Sequence, residues 1–150
     1  MSESQTILIV EDNPTDVMLI RRALARLKIA NPVQVVADGD RAVDYLSGHD
    51  DYADRMQFPL PALILLDLKL PRRSGLEVLE WLRRQEGLRR VPVVMLTSSR
   101  QSDDVNRAYD LGANSYLVKP VEFDGLQEML GTINTYWIDW NEKPDVAPTA

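Results

Sequence analysis

The chain has 150 residues and a formal net charge of −6, enough for one domain that buries roughly two thirds of the surface exposed by the unfolded chain. It has no cysteine and a single histidine, His49, which excludes disulfides, thiolate metal sites and any mechanism that needs two imidazoles. The acidic balance argues against nucleic acid as a direct partner, the opening Met1-Ser2-Glu3-Ser4-Gln5 lacks the stretches of a signal peptide, and no apolar run nears the ~18 residues of a membrane helix, so a soluble, cytoplasmic protein is expected.

Within 6–10, Ile7-Leu8-Ile9-Val10 is a short unbroken apolar run, the mark of a parallel strand covered on both faces, and it ends on Glu11-Asp12-Asn13. Val17, Ile20, Leu24 and Leu27 then share one helical stripe, with Arg21, Arg22, Arg26 and Lys28 mostly elsewhere. A second run, 33–37, precedes a weaker helix over 40–46. Residues 47–61 are the one long irregular stretch, acidic and punctuated by Gly48, Pro59 and Pro61, and read as a surface loop. The third run, 62–66, ends on Asp67 and leads to a helix carrying Leu76, Val78, Leu79 and Leu82. The fourth, 91–96, ends on Thr97 and is followed by a weaker helix over 102–111, stopped by Gly112. The fifth, 115–118, ends on Lys119; the last helix then runs from Phe123 through Leu126, Leu130 and Ile133 to Trp137. Beyond Trp140 the chain is polar and Pro-containing with little to bury, so residues 1–140 read as the domain and 141–150 as a tail. Strict alternation of strand and helix predicts an α/β fold, a parallel sheet with right-handed crossovers and helices on both faces.

Taken singly, the residues at the strand ends have structural explanations. Acids before Asn13-Pro14 suit a helix start, Asp67 suits a turn, Thr97-Ser98-Ser99 suits a cap, and Lys119 a solvated face. Their coincidence is the signal, because ligands of open α/β sheets gather beyond the carboxyl ends of the strands. Clustered carboxylates raise one another's pKa unless a cation joins them, and hard oxygen donors suit Mg²⁺. A carboxylate can also attack phosphorus to give an aspartyl phosphate, whose oxygens then need Mg²⁺, an ammonium such as Lys119 and a hydroxyl such as Thr97.

With these motifs in order, Glu11-Asp12-Asn13, Asp67-Leu68-Lys69-Leu70-Pro71 with Gly75, Thr97-Ser98 and Tyr116-Leu117-Val118-Lys119-Pro120, the chain resembles the receiver domains of bacterial two-component response regulators over residues 6–137. The resemblance implies a flavodoxin-like (βα)5 fold, a doubly wound five-stranded sheet of order 2-1-3-4-5. It implies a phosphoacceptor signalling protein, not an enzyme in its own right, with Asp67 taking the phosphoryl group from a sensor histidine kinase. Asp12, Asp67 and the Lys69 carbonyl then match direct Mg²⁺ ligands, with Glu11 acting through water. Thr97 and Lys119 match the residues that hold the phosphoryl oxygens, Tyr116 matches the aromatic that follows Thr97, and Lys119-Pro120 matches a bond often cis in the family. Two positions depart from the common pattern: Glu11 stands where an aspartate is usual, and Lys69 where Asn or a hydrophobe is frequent.

The long loop before the third strand, Asn114-Ser115-Tyr116 and the aromatic end Tyr136-Trp137 with Trp140 more narrowly resemble small stand-alone regulators paired with phytochrome-type kinases. More apolar bulk at that end than one helical stripe can hide predicts a homodimer through helix five and its aromatic extension. A phosphorelay intermediate stays open as an alternative. A flavodoxin-like electron carrier would need a Ser/Thr/Gly-rich phosphate loop where Glu-Asp-Asn-Pro stands, and an aspartate-nucleophile phosphatase a second acid where Lys69 stands.

Overall fold

The computed structural model describes residues 5–148. Strands β1 (Ile7–Val10), β2 (Val33–Val36), β3 (Leu63–Leu66), β4 (Val93–Thr97) and β5 (Ser115–Val118) form one sheet in the order β2-β1-β3-β4-β5, every neighbouring pair parallel. Helices α1 (Pro14–Arg26), α2 (Gly39–Ser47), α3 (Gly75–Arg84), α4 (Ser102–Asp110) and α5 (Phe123–Ile133) complete the flavodoxin-like arrangement.

Successive strand residues point to opposite faces, and both faces are apolar. Leu8, Val10, Ile64, Leu66, Val93 and Met95 pack with Ala42, Tyr45 and Leu46 of α2, Val78, Leu79 and Leu82 of α3 and Ala108 of α4. Ile7, Ile9, Leu63, Leu65, Val94 and Leu96 pack with Ile20, Ala23 and Leu24 of α1 and Leu126, Leu130 and Ile133 of α5. Local signals start the helices next to the strand ends. Asn13 Oδ1 accepts from the Thr15 N–H at 2.9 Å with Pro14 in the first turn, and Ser74 and Glu77 form a reciprocal capping box.

Three regions differ from the sequence reading. The stretch over 47–61 is anchored: the rings of Tyr45, Tyr52 and Phe58 meet at 5.1–6.0 Å, and the Tyr45 hydroxyl donates to the Pro59 carbonyl at 2.8 Å. The Arg55 guanidinium donates to the Tyr45 and Leu46 carbonyls in the last turn of α2 and to the Phe58 carbonyl. Second, residues 141–148 fold back. Val146 packs against the α2/α3/α4 core, the Ala147 N–H donates to the Gly87 carbonyl at 2.8 Å, and Lys143 Nζ donates to the Ile138 carbonyl. Third, α5 runs on as a π-helical extension, Asn134–Trp140. An α-helix would carry Trp137 onto the buried stripe four residues after Ile133; the wider π turn puts Ile138 there. Trp137 is left half-buried, and Tyr136 and Trp140 are exposed. Among the described residues, no helix is long and apolar enough to cross a membrane.

Candidate functional site

β1 and β3 are neighbours in the sheet, yet their following helices lie on opposite faces, α1 on one and α3 on the other. The chain therefore diverges on either side of a crevice at the carboxyl ends of these two strands, the switch point where open α/β sheets bind ligands. Val10 and Leu66 are in register, so Glu11 and Asp67 emerge side by side. Thr97 closes β4 and Lys119 follows β5, on the same edge.

Backbone contacts fix Asp67. Its N–H donates to the Val10 carbonyl at 3.1 Å, its Oδ1 accepts from the Leu68 N–H at 2.7 Å, and the Gly75 N–H donates to the Leu68 carbonyl at 2.9 Å. A Cβ on residue 75 would sit 2.0 Å from the Asp67 carbonyl oxygen, so only glycine lets α3 begin this close to the acidic residue.

Lys119 reaches over these groups. Its Nζ pairs with Glu11 Oε1, with Asp16 Oδ2 at 3.0 Å and with Asp67 Oδ2 at 3.2 Å, so each of the three ammonium protons has a carboxylate. Burial by itself works against the charged lysine, but the hydrogen bond to Glu11, the charge of Asp67 and the bond to Asp16 outweigh it and hold the ammonium above its ordinary range. Glu11, 3% exposed, is pushed up to about 7 chiefly by burial, which exceeds the opposing effect of its bonds from Lys119 and the Asn13 N–H. Carboxylate oxygens of Glu11, Asp12 and Asp67 lie within 4.8 Å of one another, with Asp12 open to solvent. Three hard oxygen donors with one side wet fit a small divalent cation that keeps part of its hydration shell.

Thr97 is buried, and its Oγ1 stands 3.5 Å from the Ser99 N–H. The Tyr116 hydroxyl donates to the Ser99 carbonyl at 3.0 Å, and Ser99 Oγ donates to Asp104 Oδ2 at 2.6 Å. The sequence-predicted residues Glu11, Asp12, Asp67, Lys69, Thr97 and Lys119 line a single cleft, and Tyr116 adjoins it through Ser99. The Lys69 side chain is exposed. The Lys119–Pro120 bond is trans, as is every other bond among the described residues, the isomer that an X–Pro bond favours by itself. Sequence reading missed Asp16, which also lines the cleft. The available signal was an acid in the first turn of α1, and that pattern is indistinguishable from a residue placed to suit the helix dipole.

Residues 7–131 match the family model described as the response regulator receiver domain. A probable methanogenesis regulatory protein, FilR2, of Methanothrix harundinacea is 44% identical over 141 residues, which cover 94% of this chain and 88% of that protein. Response regulator Rcp1 of Synechocystis sp. is 36% identical over 90% of each chain. The Mn²⁺-bound form of Rcp1 superposes with a TM-score of 0.84 at 36% identity, covering 93% of this chain and 99% of that one. The phosphorylated cyanobacterial phytochrome response regulator RcpA superposes with a TM-score of 0.87 at 37% identity, covering 95% and 99%.

Proposed function

The chain belongs to the response regulator receiver domain family, and on that premise we propose that it is a single-domain response regulator whose Asp67 accepts the phosphoryl group of a histidine kinase. One arrangement carries this reading: Asp67 lies at the switch point of the sheet, in the acidic cluster and 3.2 Å from the Lys119 ammonium. In the transfer a carboxylate oxygen of Asp67 bonds to phosphorus while the P–N bond of a phosphohistidine breaks, the imidazole nitrogen keeping the electron pair. Lys119 and the Thr97 hydroxyl each take one oxygen of the transferred group. Receiver domains bind a divalent metal at this acidic pocket; here we assign Mg²⁺, held by Asp12, Asp67 and the Lys69 carbonyl, with Glu11 acting mainly through water. When bound it offsets the charge of the carboxylates and of the incoming phosphoryl group.

Signalling then proceeds as a population shift: the phosphoryl group draws the Thr97 hydroxyl inward, and Tyr116 gives up its bond to the Ser99 carbonyl and follows. Similarity to RcpA supports a phytochrome-type kinase as the cytoplasmic partner. An apolar groove lined by Leu117, Met129, Ile133, Tyr136 and Trp137, together with Trp140, 78% exposed at the end of the same helical extension, supports a homodimer built on α5 and its extension.

The test is phosphotransfer from a radiolabelled histidine kinase to the wild type and to Asp67→Asn, each with and without EDTA. Hydroxylamine-sensitive label on the wild type alone, lost with EDTA, is the expected result. Undiminished label on Asp67→Asn, or transfer indifferent to EDTA, overturns the reading.

A further inference from the structure

Of the three carboxylates that share the Lys119 ammonium, one stands outside the acidic cluster. Glu11 and Asp67 belong to the set whose oxygens lie within 4.8 Å of one another, and Asp16 does not. Asp16 enters from the first turn of α1, and among the described residues no cation other than Lys119 pairs with it. Because Asp16 Oδ2 and Asp67 Oδ2 are both within hydrogen-bond reach of one nitrogen, they are no more than about 6 Å apart.

We propose that Asp16 is a positioning residue for Lys119, one that competes with the phosphoryl group for the ammonium and thereby sets how tightly the site holds that group. The inference rests on the reading of Asp67 as phosphoacceptor. An ammonium has three donors, and here each is directed at a carboxylate. The donor now on Asp67 Oδ2 passes to a phosphoryl oxygen carried by the same side chain, and the charge of Glu11 is shared with the metal that the cluster holds. Asp16 has no such alternative, so it keeps drawing the Lys119 Nζ toward α1. It also keeps a negative charge near the place where the phosphoryl oxygens gather, and like charges at that range oppose binding. The Asp16 side chain is one-third exposed, and solvent screens part of this effect. What remains is on the order of tenfold in affinity.

Beryllofluoride, a mimic of the phosphoryl group, distinguishes competition from a merely structural role when titrated calorimetrically at saturating Mg²⁺. Asp16→Asn has nearly the same size without the charge and is expected to bind the mimic about tenfold more tightly than the wild type. Asp16→Glu keeps the charge and should show no more than roughly a third of that gain, and added salt should narrow the gap between wild type and Asp16→Asn. Asp16→Ser repeats the comparison with a second uncharged side chain, and thermal unfolding without beryllofluoride checks that each variant folds. If the uncharged variants bind the mimic no more tightly than the wild type, the inference falls while Asp67 keeps its role. If beryllofluoride fails to bind the wild type, both fall.

Discussion

In the proposed Mg²⁺ site, Glu11 is expected to couple metal binding to pH. Burial pushes its carboxyl group up to about 7 from an ordinary 4.5. Between those values the folded chain holds a proton that the unfolded chain has released, so this stabilisation is full below about 4.5 and is lost as pH rises through about 7. The displacement corresponds to about 3 kcal/mol at 1.36 kcal/mol per pH unit. Metal binding has the opposite sign, because a carboxylate serves a cation only when ionised, and a divalent ion entering below pH 7 must expel the Glu11 proton. With a midpoint near 7, about nine tenths of Glu11 is ionised at pH 8 and about one tenth at pH 6, so apparent Mg²⁺ affinity should fall about tenfold between them. Calorimetric titration of Mg²⁺ at pH 6, 7 and 8, in buffers of different ionisation enthalpy, reads both the affinity and the protons released. Glu11→Gln should flatten the dependence. Affinity that is level from pH 6 to 8 in the wild type, with no proton release at pH 6, refutes the argument.

Three further outcomes follow from packing. Gly75→Ala should destabilise the protein by about 2 kcal/mol, because the added Cβ meets the Asp67 carbonyl oxygen at 2.0 Å; urea unfolding reads the loss, and beryllofluoride affinity should drop with it. Deleting residues 141–150 removes the packing of Val146 and the bond from Ala147 to Gly87, and should lower Tm by about 4–8 °C for a loss of about 2 kcal/mol, measured by calorimetry. Replacing both Tyr136 and Trp140 by alanine should weaken self-association measured by light scattering over a dilution series with beryllofluoride present, since these are the large exposed apolar side chains of the α5 extension; an unchanged dimer would count against that interface.

The sequence by itself determines the sheet, its strand ends and the motif residues there. Every residue of β1, β3 and β4 is buried, because a parallel strand is covered on both faces, and such strands read as unbroken apolar runs whose first polar residue stands out. β2, at the edge and only partly buried, was legible mainly from its Val content. Asn13-Pro14 and the Ser74/Glu77 pair are equally local, acting over three residues or fewer, so the starts of α1 and α3 are written in adjacent sequence. Only the tertiary structure decides the rest. Asp16 looks like any acid in a first turn until the fold brings Lys119 to it from 103 residues away. Residues 47–61 look irregular until Tyr45 offers its ring to Tyr52 and Phe58 and the end of α2 offers its carbonyls to Arg55. Val146 is one apolar residue without periodicity, and its burial depends on a core surface assembled from other elements. At the end of α5, Ile138 rather than Trp137 completes the buried stripe because the helix widens by one residue, and composition alone cannot specify that change of register.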